Sequence, residues 1–140
     1  MNDVILDVRH LVTEIRQPRG ALRVVDDVSF NERRGEIVGL VGESGCGKTT
    51  VVYSMLNYRR PNSRIRQGHV LFHGRDLLQL PARALQHIRG NKISLVPQDP
   101  TTALSPGIGV GSQITETLRT HGLAARAQEA RARTLELLRL

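Results

Sequence analysis

Apolar residues along this chain fall into short runs separated by turn-like punctuation. Val4 to Val8 and Leu22 to Phe30 read as strands, and Arg16-Gln17-Pro18-Arg19-Gly20 between them reads as a turn, so an antiparallel pair is expected. After the turn at Arg33-Arg34-Gly35-Glu36, Ile37-Val38-Gly39-Leu40-Val41 is apolar at successive positions, the pattern of a strand buried on both faces of a parallel sheet. A glycine-rich loop follows, then a helix from about Lys48 to Asn57. Arg59 to Gly68 is polar and reads as a loop, and His69 to Phe72 as a short strand ended by His73-Gly74-Arg75-Asp76. Pro81 stands at a favourable first position for a helix that runs to Arg89 and stops at Gly90. Lys92 to Val96 is a second buried-strand pattern, closed by Pro97, and Asp99 to Gly109 is a loop. Two helices complete the chain, Val110 to His121 and Ala124 onward. The second gathers Ala127, Ala130, Thr134, Leu137 and Leu138 on one face and Arg126, Glu129 and Arg133 on the other.

The chemistry sits between the first buried strand and the helix after it. Gly42-Glu43-Ser44-Gly45-Cys46-Gly47-Lys48-Thr49 matches the phosphate-binding pattern G-x-x-x-x-G-K-[ST], with a strand before it and a helix after it as that pattern requires. Glycines let the loop close around phosphate oxygens, and successive N–H groups point inward to form an anion nest. The helix starting near Lys48 aims its positive end at the same place. The Lys48 ammonium is expected on the β- and γ-phosphates, and the Thr49 hydroxyl on Mg²⁺, a hard cation that prefers oxygen. Cys46 occupies a variable position of the pattern and reads as a small filler.

Composition narrows the setting. The 140 residues suffice for one domain, and 39% hydrophobic with 24% charged residues is ordinary globular material. Met1 to Asp7 has neither the basic nor the apolar region of a secretory signal, and no apolar run approaches membrane-spanning length, so a cytoplasmic setting is expected. A single cysteine excludes an internal disulfide framework. The net charge of +7 comes almost wholly from scattered arginines. With so few aromatics there is no stacking platform for single strands, and no specific nucleic-acid partner is expected. His10, His69, His73, His87 and His121 read as surface or loop residues.

The second buried strand leads into Val96-Pro97-Gln98-Asp99-Pro100, a glutamine where an open α/β sheet presents side chains to a ligand. This stretch through Thr101-Thr102-Ala103-Leu104-Ser105-Pro106, together with the P-loop, resembles the ATP-binding subunits of ABC transporters, in particular the peptide/nickel (oligopeptide and dipeptide) import family. Val25-Asp26-Asp27-Val28-Ser29-Phe30, Arg34-Gly35-Glu36, Phe72-His73-Gly74-Arg75-Asp76-Leu77 and Val110-Gly111-Ser112-Gln113-Ile114 extend the likeness along the whole chain. The resemblance implies an α/β P-loop NTPase: a RecA-like core with an antiparallel β subdomain over residues 1–103 and the start of a helical subdomain over 104–140. It implies nucleotide contacts from Gly42, Glu43, Ser44, Gly45, Cys46, Gly47, Lys48, Thr49 and Thr50, and Mg²⁺ contacts from Thr49 and Gln98. Gln98 would also couple the site to the membrane subunits. ATP and Mg²⁺ are the implied cofactors. Transmembrane permease subunits and a second ATP-binding subunit, like or unlike the first, are the implied partners, with the protein peripheral on the inner face of the plasma membrane.

Departures from the family pattern qualify that picture. The aromatic residue on which the family stacks adenine is absent from Val12-Thr13-Glu14-Ile15-Arg16, where Ile15 falls nearest the place. No signature motif, no Walker B carboxylates and no switch histidine follow, so no catalytic residue is assigned, and little or no hydrolysis is expected of these 140 residues alone. The chain stops inside an apolar helix face at Leu135-Glu136-Leu137-Leu138-Arg139-Leu140 and reads as the N-terminal part of something longer. Without a central acidic strand, Ile37 to Val41 is expected to keep an uncovered edge, with poor solubility or association as the consequence. Two other readings of the motif stand beside the importer: a nucleotide-binding remnant without catalysis, and a small P-loop kinase.

Overall fold

Residues 3–58, 60–99 and 103–139 are described by the computed structural model, and they divide into two units, Met1–Ala82 and Arg83–Leu140. Arg59 of the expected loop, Pro100, Thr101 and Thr102 of the stretch after Gln98, and the terminal Leu140 lie outside the described residues.

In the first unit, β1 (Val4–Gln17) and β2 (Gly20–Arg33) form the expected antiparallel pair, each longer than the apolar pattern alone suggests. The turn narrows to Pro18 and Arg19, where proline presets the backbone angle that a tight reversal needs. β3 (Ser63–Phe72) lies on the other side of β1, and the two-residue β4 (Arg75–Asp76) pairs with the end of β3, giving the order β2-β1-β3-β4. β3 corrects the sequence reading, which makes a loop of Arg59 to Gly68. Its first half exposes Arg64, Arg66 and Gln67 and turns only Ser63 and Ile65 partly inward. A strand that is polar on one face and weakly apolar on the other leaves little signal; here the register against β1, Thr13 with Ile65 and Ile15 with Ser63, makes it a strand.

A line of irregularities crosses the sheet. The register shifts between Val8 and Leu11 against β2, and between Arg9 and Val12 against β3. His10 and Asp27 both take left-handed backbone angles there, φ 49° and 55°. His10 Nδ1 lies 2.8 Å from Asp27 Oδ1, and the His10 N–H donates to Ser29 Oγ at 2.8 Å. Opposite on β3 stands Gly68, φ 107°, where a Cβ would lie 2.6 Å from Leu11 Cα and 2.7 Å from the carbonyl oxygens of Arg9 and His10. Only glycine fits there, so the irregularities of the three strands coincide at one place.

Val8, Leu11, Val12, Thr13, Val25 and Val70 of this sheet, with Leu77 after β4, are all buried. Each such aliphatic side chain is worth about 1.5–3 kcal/mol when taken from water. Helix α1 (Lys48–Met55) brings Val51 and Ser54 into the core, and the Ser54 hydroxyl meets the Thr13 hydroxyl at 2.9 Å in a buried pair. The helix ends at Met55 and not at Asn57, which reverses the chain at φ 50° and donates its amide to the Leu77 carbonyl at 3.3 Å.

The second unit takes in all of α2 (Ala82–Ile88) but its first residue, and holds α3 (Val110–Thr120) and α4 (Ala127–Leu137). α3 and α4 meet through small residues. Ala130 is fully buried, Thr115 and Thr134 share a 2.9 Å hydroxyl contact, and both threonines also bond back to the carbonyl one turn earlier. Of the face read for α4, Ala130 and Thr134 are buried, whereas Ala127, Leu137 and Leu138 are exposed.

Two expected buried strands do not form. Ile37 to Val41 has no strand partner among the described residues, and Ile37 and Val41 are 96% and 91% exposed. Lys92 to Val96 makes one parallel bridge, Ile93 with Arg89, and Val96 is 89% exposed. A strand exists only through hydrogen bonds to neighbours, so an all-apolar sequence without neighbours stays an uncovered stretch of chain.

Candidate functional site

The loop from Gly42 to Gly47 closes through one internal turn, the Cys46 N–H donating to the Glu43 carbonyl at 3.3 Å. Gly47 then reverses the backbone at φ 101° as the N-cap of α1, and its carbonyl accepts the first helical bond from Val51 at 2.9 Å. Gly47 lies so close to β2 that a Cβ there would sit 2.6 Å from the Val24 carbonyl oxygen. This contact fixes the helix start against the sheet.

The first turn of α1 carries no side-chain cap and no acidic residue, so its leading N–H groups are available to an outside acceptor. Lys48 folds back across the loop, and its ammonium donates to the carbonyls of Gly42 at 2.8 Å and Glu43 at 2.6 Å, with Cys46 Sγ at 3.5 Å. The uncapped helix start and the Lys48 ammonium thus lie on one curl of backbone. Glu43, Ser44, Gly45, Cys46 and Thr49 are exposed along it.

Thr50 points elsewhere. With Ile15, Tyr53, Ser54, Tyr58, Arg60, Pro61 and Ser63 it lines a cavity of about 220 Å³ beside α1. The Arg60 guanidinium lies 4.6 Å from the Tyr53 ring centre, and the two tyrosine rings are 5.5 Å apart. Sequence reasoning missed this cluster. Its one signal was that both tyrosines of an aromatic-poor chain fall in a single short stretch. Gln98 stands exposed at a bend after the Lys92–Val96 stretch, in the second unit. Among the described residues no three of His, Cys, Asp and Glu gather as a metal site, so a cation here would depend on oxygens of Thr49 and of a bound ligand. A second feature that sequence reasoning did not find is the carboxylate of Asp76. Burial would raise its pKa, but bonds from His69 and from the N–H groups of Leu78 and Val70 outweigh that and hold it below the ordinary value.

The family model described as ABC transporter matches residues 25–139. A probable peptide ABC transporter ATP-binding protein of Sinorhizobium fredii is 42% identical over 99% of the chain and 41% of its own length. The dipeptide transport ATP-binding protein of Lactococcus lactis is 37% identical, over 96% of the chain and 38% of its own length. The oligopeptide transport ATP-binding protein of Salmonella typhimurium is 38% identical, over 99% and 42%. The chain thus spans about two fifths of these relatives. Among solved structures, a bacterial ABC transporter cassette in dimeric form shares the fold at a TM-score of 0.79 and 23% identity, covering 96% of this chain and 56% of that one. With a family model matched over most of its length and a P-loop at the head of α1, the chain belongs to the ABC transporter family.

Proposed function

We propose that this chain is the phosphate-binding part of an ATP-binding subunit that couples ATP binding and hydrolysis to import of peptides or a related small solute. The observation that carries the reading is the Lys48 ammonium lying on the Gly42 and Glu43 carbonyls above an uncapped helix start. A triphosphate exchanges those two neutral carbonyl acceptors for anionic phosphate oxygens, which adds attraction between opposite charges to bonds whose donor is already ionised. In this reading Gly42 through Gly47 wrap the β-phosphate with their amides, and Lys48 spans the β- and γ-phosphates. Thr49 gives Mg²⁺ one hydroxyl ligand, Gln98 a second oxygen, and Thr50 and Ile15 flank the nucleoside. Mg²⁺ fits the site because the available donors are uncharged oxygens, which leave the phosphates to supply the charge; once bound it would neutralise charge on the transferring phosphoryl group.

Residues 1–103 then form the nucleotide-facing part and 104–140 begin the helical subdomain, with permease subunits and a second ATP-binding subunit as partners on the inner face of the plasma membrane. Among the described residues no helix is long and apolar enough to cross a membrane. The relatives' names as peptide, dipeptide and oligopeptide transport proteins support the solute class.

The test is titration of ATP-Mg²⁺ against the chain and against Lys48→Ala. Loss of affinity by about tenfold or more is expected when the ammonium is removed, in line with about 1.5–3 kcal/mol for a hydrogen bond to a charged group. Equal affinity in both proteins would remove the P-loop from the reading.

A further inference from the structure

β3 is paired unevenly. One side runs against β1 from Ser63 to Phe72, while on the other side β4 meets only Leu71 and Phe72. Val70 is satisfied just beyond, its N–H donating to the Asp76 carboxylate at 3.2 Å and its carbonyl accepting from Leu77 at 2.8 Å. From Gly68 back to Arg64, no hydrogen bond between described residues leaves this outer edge. Alongside the same residues runs a groove of about 570 Å³, lined by Ser63 to Gly68 on one side and by Asn57, Leu78 and Gln79 on the other.

The groove has one sign of charge. Its lining includes Arg64 and Arg66 and no carboxylate. Arg66 is tied across the sheet to Glu14 at 2.5 Å, whereas Arg64 has no ion pair among the described residues. An edge of this kind repels a second copy of itself, since arginine would face arginine, so the charge works against self-pairing. The same charge favours a strand of opposite sign.

We infer that the open edge of β3, over Arg64 to Gly68, docks an extended acidic peptide segment of another protein as an added strand. Main-chain bonds supply the affinity, and the Arg64 and Arg66 side chains select acidic residues at alternate positions of the guest. Five residues of strand span about 17 Å, enough for a guest of five or six residues.

The probe is a fluorescent Glu-Val-Glu-Val-Glu-Val peptide titrated against the 140-residue chain by anisotropy. Three further titrations accompany it: a copy of the peptide N-methylated at alternate residues, a copy with Lys in place of Glu, and the original peptide against Arg64→Glu. Saturable binding of the acidic peptide is expected, weakened about tenfold or more in each of the other three. An N-methylated copy that binds equally well would replace strand addition with mere charge attraction. Binding that Arg64→Glu leaves unchanged would put the peptide elsewhere, and absence of saturable binding to the original chain would refute the inference outright. Arg64→Gln, which keeps an exposed polar side chain, guards against misfolding of the charge-reversed variant; its affinity is expected between the two.

Discussion

Gly47 and Gly45 lie two residues apart in one loop, both at positive φ, yet the structure gives them different duties. At Gly45, φ 83°, an added Cβ meets nothing within 4 Å. At Gly47, φ 101°, it would lie 2.6 Å from the Val24 carbonyl oxygen and 3.2 Å from Val24 Cγ1. Gly45→Ala therefore carries the backbone penalty alone, about 1–2 kcal/mol for an L-residue held left-handed, less about 0.4–1 kcal/mol for the stiffer unfolded chain. Gly47→Ala carries the same and also forces α1 away from β2, about 1–3 kcal/mol more by analogy with overpacked cores. Urea unfolding read by tyrosine fluorescence measures both. The chain has two tyrosines and no tryptophan, and Tyr53 and Tyr58 both lie in the first unit, so the signal reports only the unit that holds the loop. The expected order is wild type, then Gly45→Ala, then Gly47→Ala, with the last two separated by at least about 1 kcal/mol. Equal midpoints for the two variants would show that the Val24 contact does not fix the helix start, and the account of how the loop is held would fall with it.

Three further outcomes follow from other contacts. Asp76 is held below the ordinary carboxylate pKa, so its stabilisation is complete above the unfolded value and fades as pH falls through the lower folded value. Asp76→Asn should cost about 1–3 kcal/mol at neutral pH, and its urea midpoint should converge on wild type in acid; a constant gap across pH would contradict the assignment. Thr13→Val strands the buried Ser54 hydroxyl and should cost about 1–3 kcal/mol, whereas Thr13→Val with Ser54→Ala should cost less than the two single changes summed, as a double-mutant cycle measures. Ile37→Lys with Val41→Glu should raise solubility and reduce association in sedimentation while leaving the tyrosine-detected midpoint within about 0.5 kcal/mol, because both side chains stand in solvent.

How much of this was legible beforehand divides along a physical line. Local rules read well. The turn at Pro18, the start of α1 after Gly47 and the run of α3 and α4 came from residue types whose backbone preferences act over a few positions. The loop from Gly42 to Gly47 and the helix start at Lys48 were legible for the same reason, since their glycines, lysine and threonine are contiguous; phosphate binding there remains the proposal. Gln98 was legible as a residue, but its role rests on the family resemblance. What sequence could not supply was pairing between strands that no short turn connects. β3 is a strand because β1 lies beside it, and nothing in Arg64-Ile65-Arg66-Gln67-Gly68 announces that. The bulge at His10, Asp27 and Gly68 is invisible for the same reason: three residues distant in the chain share one irregularity only after the strands align. Ile37 to Val41 and Lys92 to Val96 show the converse. Their apolar pattern states what surroundings these residues require, and the exposure of Ile37, Val41 and Val96 shows that the described residues do not provide them. A hydrophobic run is thus a demand for neighbours, not proof of them. Supplying a strand beside Ile37 to Val41 should protect its amides from hydrogen exchange, and protection already present in the 140-residue chain would mean that a neighbour had been found within it.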